Sequence, residues 1–205
     1  VIPMLRVLPT KSLLRIAMRH SDLGGNTEGP ASRVSLNFPI SVFISGLRMT
    51  GNLKWALENS SFEYLVRITS NCLVNERSLV RHIESFPKSR VFAGTELAAG
   101  FISGAALVMS RDVVSSIVNH EKSLRLDIYE DLALSELVQK KDLADFHDLP
   151  RLEIGSTALA KSIKISALED APIFRCKAEH PITHSPERVL EIFGILANRL
   201  GWKFC

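Results

Sequence analysis

The most informative run of hydrophobic and polar positions lies between Phe62 and Asn75. From Phe62 through Tyr64, Leu65, Val66 and Arg67 to Ile68 the chain is rich in aromatic and β-branched residues, which predicts a buried strand. The character then changes at Thr69-Ser70-Asn71, small polar residues suited to a turn. Open α/β sheets bind ligands beyond the carboxyl ends of their strands, so a strand that stops in hydroxyl and amide groups is a candidate site. The plainer reading is an ordinary strand-to-helix loop with a cap before Glu76.

The same patterning predicts other elements along the chain. Residues 1–8 make a poor first strand interrupted by Pro3, and 11–20 a helix capped by Thr10. Residues 21–32 form a glycine-rich loop, and Val42-Phe43-Ile44 a buried strand. Leu53, Ala56 and Leu57 share one face of a helix over 52–59. A helix over 76–86 turns Leu79, Val80 and Ile83 inward and stops at Pro87. Val91-Phe92-Ala93 reads as a short strand and Gly94-Thr95-Glu96 as a turn. Ser110 caps a helix that buries Val113, Val114 and Ile117. Another helix carries Leu132, Ala133, Leu134, Leu137 and Val138, and the last runs over 186–200 to Gly201. Residues 151–154 and 162–165 read as strands, as does Phe174-Arg175-Cys176-Lys177.

Composition narrows the class. A chain of 205 residues fits one domain over 1–205, and 46% hydrophobic with 23% charged residues suits a soluble globular protein. A net charge of +3 without a basic block argues against nucleic acid as a partner. Cys72, Cys176 and Cys205 are odd in number and far apart, which suggests free thiols in a reducing, cytoplasmic setting and no zinc site. No apolar run reaches membrane-spanning length and no signal peptide is visible. The chain begins at Val1, which leaves a trimmed or an incomplete N-terminus open.

Four stretches carry candidate chemistry. Lys54, at the start of its helix, offers a cation to an anionic ligand, or is simply solvated. Ser103-Gly104 breaks the apolar run over 101–109, and Gly104 followed by Ala105 and Ala106 suits either a wall against a flat ligand or tight core packing. Glu130 and Asp131 stand in the first turn of a helix, where carboxylates complement the macrodipole and where a carboxylate at a cleft can act as general base. Arg175 and Lys177 alternate on one side of an extended segment and suit a phosphate-bearing ligand, or a solvated edge.

Taken in order, these stretches resemble glycosyltransferases of the GT-A fold, in particular a bacterial set similar to the β-1,3-galactosyltransferase group. Lys54-Trp55-Ala56-Leu57 before the 62–67 strand resembles the approach to that group's aspartate-rich turn, and Val74-Asn75 with Leu79 the residues after it. Phe101-Ile102-Ser103-Gly104-Ala105 through Ser110-Arg111-Asp112 resembles its glycine-rich block. Tyr129-Glu130-Asp131-Leu132-Ala133 resembles its acidic block, and Arg175-Cys176-Lys177 the C-terminal end of the bacterial set. The resemblance covers roughly residues 54–200. It implies an α/β, GT-A-like (Rossmann-like) fold: a mixed, mostly parallel sheet flanked by helices. It also implies transfer of a sugar from a nucleotide-diphosphate donor to a glycan or other acceptor hydroxyl, with inversion. In that scheme Asp131 or Glu130 takes the acceptor proton, Ser103 and Gly104 line the sugar site, and Arg67, Ser70 and Asn71 contact the nucleotide end, with Lys54 a further donor-side cation. Peripheral association with a membrane is compatible with it.

The turn departs from the family. Where the group holds a manganese–nucleotide complex with an Asp-x-Asp turn, this chain has Thr69-Ser70-Asn71-Cys72, and neutral oxygens hold a divalent cation weakly. Mn2+ or Mg2+ stays open as a cofactor. The resemblance implies a metal-independent enzyme in which Arg175 and Lys177 neutralise the leaving diphosphate, or a chain that has lost catalysis. The alternatives are a non-catalytic nucleotide-sugar or glycan-binding module and a plain interaction domain.

Overall fold

The computed structural model describes residues 34–35, 40–44, 49–69, 71–98, 100–176 and 186–202. The strand and helix expected over residues 1–20 and the loop over 21–32 lie outside them. In chain order the elements are β1 (Val34–Ser35), β2 (Ile40–Ile44), α1 (Met49–Asn59), β3 (Tyr64–Ile68), β4 (Cys72–Val74), α2 (Glu76–Glu84), β5 (Val91–Ala98) and β6 (Phe101–Ser110). There follow α3 (Arg111–Asn119), α4 (Glu130–Lys140), β7 (Asp145–Asp148), β8 (Arg151–Ile154), α5 (Thr157–Ser162), α6 (Ile165–Asp170), β9 (Ile173–Cys176) and α7 (Pro186–Arg199). The protein is α/β, with mixed sheets flanked by helices. Its described residues divide into two compact units, a larger one with residues 34–69 and 86–149 and a smaller one with 71–85 and 150–202.

The larger unit is built on a six-stranded sheet in the order β1-β2-β3-β6-β5-β7. β2 with β3 and β5 with β7 pair in parallel, while β1 with β2, β3 with β6 and β5 with β6 pair antiparallel. The expectation of a mostly parallel sheet is therefore corrected: antiparallel pairings are in the majority. The cause is the tight connection that joins β5 to β6. The chain does not turn at Gly94-Thr95-Glu96 but continues as β5 and reverses at Gly100, whose φ is +75° and whose N–H donates to Glu96 Oε1 at 2.7 Å. Strands joined by so short a connection must run antiparallel. β6 then lies between β3 and β5 and opposes both. Gly94 serves close approach instead of a turn, since a Cβ there would stand 2.4 Å from Ile102 Cγ2 and 2.8 Å from the Ala106 carbonyl oxygen.

Every residue of β3, and every residue of β6 after Phe101, is buried, as befits central strands covered on both faces. Leu53 and Ala56 of α1, Val113, Val114 and Ile117 of α3, and Leu134, Leu137 and Val138 of α4 form one core with Leu65, Phe92, Ile102, Leu107 and Met109. The helical residues recur at three- and four-residue spacings, which keeps them on one stripe. Burying each large side chain stabilises the unit by roughly 1.5–3 kcal/mol. β7, Asp-Phe-His-Asp at the sheet edge, has no apolar alternation and is absent from the sequence reading.

The smaller unit has a three-stranded sheet, β4-β9-β8, with β4 antiparallel and β8 parallel to β9. Leu73, Ile154, Phe174 and Cys176 turn one face toward Ala160, Leu168, Ile192, Phe193 and Leu196 of α5, α6 and α7. Asn75 caps α2, accepting from the Ser78 N–H, and its Nδ2 donates to the Leu168 and Glu169 carbonyls at 3.1 Å each. The strand expected over 162–165 is absent. Ser156 caps α5 through the Leu159 N–H, and Ile163-Lys164 is the break before α6, so local capping wins over the apolar pattern. Among the described residues no helix is long and apolar enough to cross a membrane.

Candidate functional site

The larger unit gathers four of the candidate residues around a fifth, Gly104. Arg67 sits in a strand of otherwise apolar residues and is only 7% exposed. A guanidinium so buried needs partners, because an isolated buried charge is costly. Its Nη1 donates to the Gly104 carbonyl, and its Nη2 donates to Glu130 Oε2 at 2.9 Å. From the other side of the same glycine, the N–H of Gly104 donates to Asp131 Oδ2 at 2.9 Å. The N–H of Leu132 donates to Asp131 Oδ1 at 3.0 Å. Residue 104 thus joins β3, β6 and the first turn of α4 through its two backbone polar groups.

Only glycine fits there. A Cβ on residue 104 would stand 2.7 Å from Arg67 Nη1, 2.7 Å from the Asp131 Cβ and 3.0 Å from Asp131 Oδ2. Of the two open readings of the 101–109 run, close packing is the one described: what packs is a carboxylate and a guanidinium. Ser103 is buried beside it, and its Oγ accepts from the Ala105 N–H at 3.4 Å. At the end of β3 the N–H of Thr69 donates to the Ala105 carbonyl at 2.9 Å, fixing the strand end against β6. Glu130 and Asp131 are half-buried, at the positive end of α4.

The other candidates stand elsewhere. Lys54 is exposed on α1, on the face away from Leu53 and Ala56, with no hydrogen bond or ion pair among the described residues. Asn71 and Arg175 belong to the smaller unit. There Asn71 Nδ2 donates to the Cys176 carbonyl at 3.1 Å, and the Cys176 N–H returns a bond to the Asn71 carbonyl at 2.8 Å. Arg175 Nη1 lies 3.6 Å from Glu153 Oε1. Ser70 and Lys177 lie outside the described residues. Arg151 and Glu153, missed by the sequence reading, carry polar chemistry on β8 beside Arg175; the alternation Arg-x-Glu on a strand that had been read correctly was the available signal.

Two further groups bear on chemistry. A cavity of about 530 Å³ in the smaller unit is lined by Arg81, His82, Ser85, Pro150, Ala167, Asp170 and Ala171, so no candidate residue lines it. The Cys176 thiol is pushed up to about 12 by burial first, with Cys72 and Glu153 adding to the effect, and it is no nucleophile near neutral pH. Cys72 and Cys176 are free thiols, both buried.

Among the described residues no three His, Cys, Asp or Glu side chains come together as ligands, and the turn after β3 supplies no carboxylate. What the cluster offers is a half-buried carboxylate, Asp131, oriented by two backbone amides, beside a second carboxylate held by a buried guanidinium. No protein-family profile matches the chain, and no curated protein sequence is significantly similar to it.

Proposed function

We propose that this protein is a glycosyltransferase of GT-A type that moves a sugar from a nucleotide-diphosphate donor to an acceptor hydroxyl. The observation that supports the reading is the bond of Asp131 to the Gly104 N–H beside the carboxyl end of β3, with Glu130 held next to it by Arg67. That is where an α/β sheet offers a ligand site. The carboxylate of Glu130 is engaged by Arg67, whereas that of Asp131 is aimed by neutral amides and retains lone pairs on both oxygens. Asp131 is therefore the residue assigned as base. The acceptor oxygen attacks the anomeric carbon, its proton passes to Asp131, and the bond to the diphosphate breaks, with inversion. In this reading Arg67 is a positioning residue that holds Glu130 and the Gly104 carbonyl, instead of contacting the nucleotide. No step is routed through a metal ion.

A second reading is a nucleotide-sugar or glycan-binding module without turnover. The bond from the Gly104 N–H to Asp131 favours it, since it also suits a carboxylate whose work is to pin α4 to β6.

Turnover decides between them. Donor hydrolysis and transfer would be measured over a panel of nucleotide sugars, with EDTA or manganese, on the wild type and Asp131→Asn. The transferase reading expects activity that ignores EDTA and falls by about 100-fold or more in the variant, the usual size of a lost general base. Binding without turnover on every acceptor selects the second reading, and an Asp131→Asn protein as active as the wild type removes Asp131 as the base.

A further inference from the structure

Two guanidinium groups and one carboxylate share a face of the three-stranded sheet in the smaller unit. Arg151 and Glu153 are two residues apart on β8, and the parallel register sets Glu153 beside Arg175 on β9. The alternate residues Leu152, Ile154, Phe174 and Cys176 turn the other way, to the core. Glu153 divides itself unequally. Its Oε1 lies 2.5 Å from Arg151 Nη2 but 3.6 Å from Arg175 Nη1. The first is a close ion pair and the second is beyond hydrogen-bonding distance. Arg175 is 25% exposed, yet its Nε is buried with no hydrogen-bond partner among the described residues. A guanidinium carries five N–H donors in a planar fork that matches carboxylate and phosphate oxygens two at a time. The fork of Arg175 is held beside a carboxylate that has been drawn to its neighbour.

We propose that Arg151, Glu153 and Arg175 form an anion site for a phosphoryl group, with Glu153 as a resident counter-ion that gives way to the ligand. As placed here, Glu153 Oε1 is at hydrogen-bonding distance from Arg151 and not from Arg175. A phosphate or diphosphate, with more oxygens and more charge, reaches both. The exposures fit this division of roles: the Arg151 side chain is 3% exposed, whereas that of Glu153 is 43% exposed and has solvent to turn into. The site stands without the transferase reading, and transfer activity is not its readout.

The test is calorimetric titration of the full chain with pyrophosphate and, separately, with a nucleoside diphosphate. Three proteins are compared: wild type, Glu153→Gln and Arg175→Gln. Glu153→Gln keeps an acceptor for Arg151 and removes the competing charge. It is expected to tighten pyrophosphate by about tenfold, the weight of one charge-assisted hydrogen bond, and Arg175→Gln to weaken it by a similar factor. Equal gains for the two ligands mean that phosphate oxygens alone are read, and a larger gain for the nucleoside diphosphate means that the base or ribose is also held. Circular dichroism establishes that each variant is folded. A folded Glu153→Gln protein that binds no tighter than the wild type, an Arg175→Gln protein that binds equally well, or the absence of binding to either ligand overturns the proposal.

Discussion

Gly104 and Asp131 meet closely enough that the glycine's missing side chain is part of the contact: the 2.9 Å bond from the Gly104 N–H to Asp131 Oδ2 exists only because no Cβ stands 2.7 Å from the Asp131 Cβ. Gly104→Ala must move Asp131, Arg67 or both, and overpacking of this kind costs about 1–3 kcal/mol. Gly194, in α7, is the contrast, because a Cβ there meets nothing within 4 Å. Gly194→Ala should stabilise by about 0.5–1 kcal/mol through helix propensity. Urea unfolding of both variants checks the pair, and a neutral Gly104→Ala would show the contact to be loose.

Arg67 and Glu130 should behave as a unit. Arg67→Met removes a guanidinium that is 7% exposed, and with Glu130 36% exposed at the side chain the loss is set at about 2 kcal/mol, below the figure for a fully buried pair. In a double-mutant cycle with Glu130→Gln the coupling energy should exceed about 0.5 kcal/mol. Additive losses would mean that the ion pair is incidental to the fold.

Cys176 should be inert in the folded protein. In a Cys72→Ser, Cys205→Ser background, a thiol–disulfide reagent at pH 8 should meet no reactive thiol until denaturant is added. A rapid native-state reaction would contradict the burial that raises its pKa to about 12 from an ordinary 9.0. A thiol whose folded pKa is raised contributes stability that is whole below the unfolded value and is lost as pH climbs through the folded one. Stability should therefore fall between pH 9 and 12.

Glu76 has the same sign in the acid range. Burial raises its pKa, outweighing the benefit of its place in the first turn of α2. Its contribution is full below the ordinary carboxylate value of 4.5 and is lost as pH rises through the folded one. Glu76→Gln should raise the Tm at pH 7 and leave it unchanged at pH 3, and equal effects at both pH values would refute the assignment to ionisation.

The elements were legible wherever periodicity was strong. The helices α2, α3, α4 and α7 and the strand over 151–154 fall where expected, because a repeat of three to four or of two survives without knowledge of neighbours, although in α2 Val80 is only half-buried and Ser78 is buried with Leu79 and Ile83. Pairing was not legible. Gly94 suggested a turn because glycine punctuates turns, yet its role is set by Ile102 and Ala106 across the hairpin, which local sequence does not contain. β7 exists because β5 offers it hydrogen bonds, and its own polar residues gave no sign. At the candidate site, Gly104 was readable as a point of close approach, but its neighbour was not. Arg67 lies buried against Gly104 and Glu130, partners that its place in an apolar strand does not reveal. Arg151 and Glu153 became meaningful only once the β8–β9 register set Glu153 beside Arg175.

The antiparallel pairing of β4 with β9 has a genetic corollary. Cys72–Val74 hydrogen-bonds to a strand that the ribosome makes 105 positions later, counted from Asn71 to Cys176. The smaller unit therefore has no contiguous coding segment of its own. A premature stop after Leu149 would leave β4 translated but partnerless, and an exon boundary at 149–150 could not transplant the unit to another gene. Any shuffling or trimming of this protein that respects its sheets must keep residues 71–85 and 150–202 in the same reading frame.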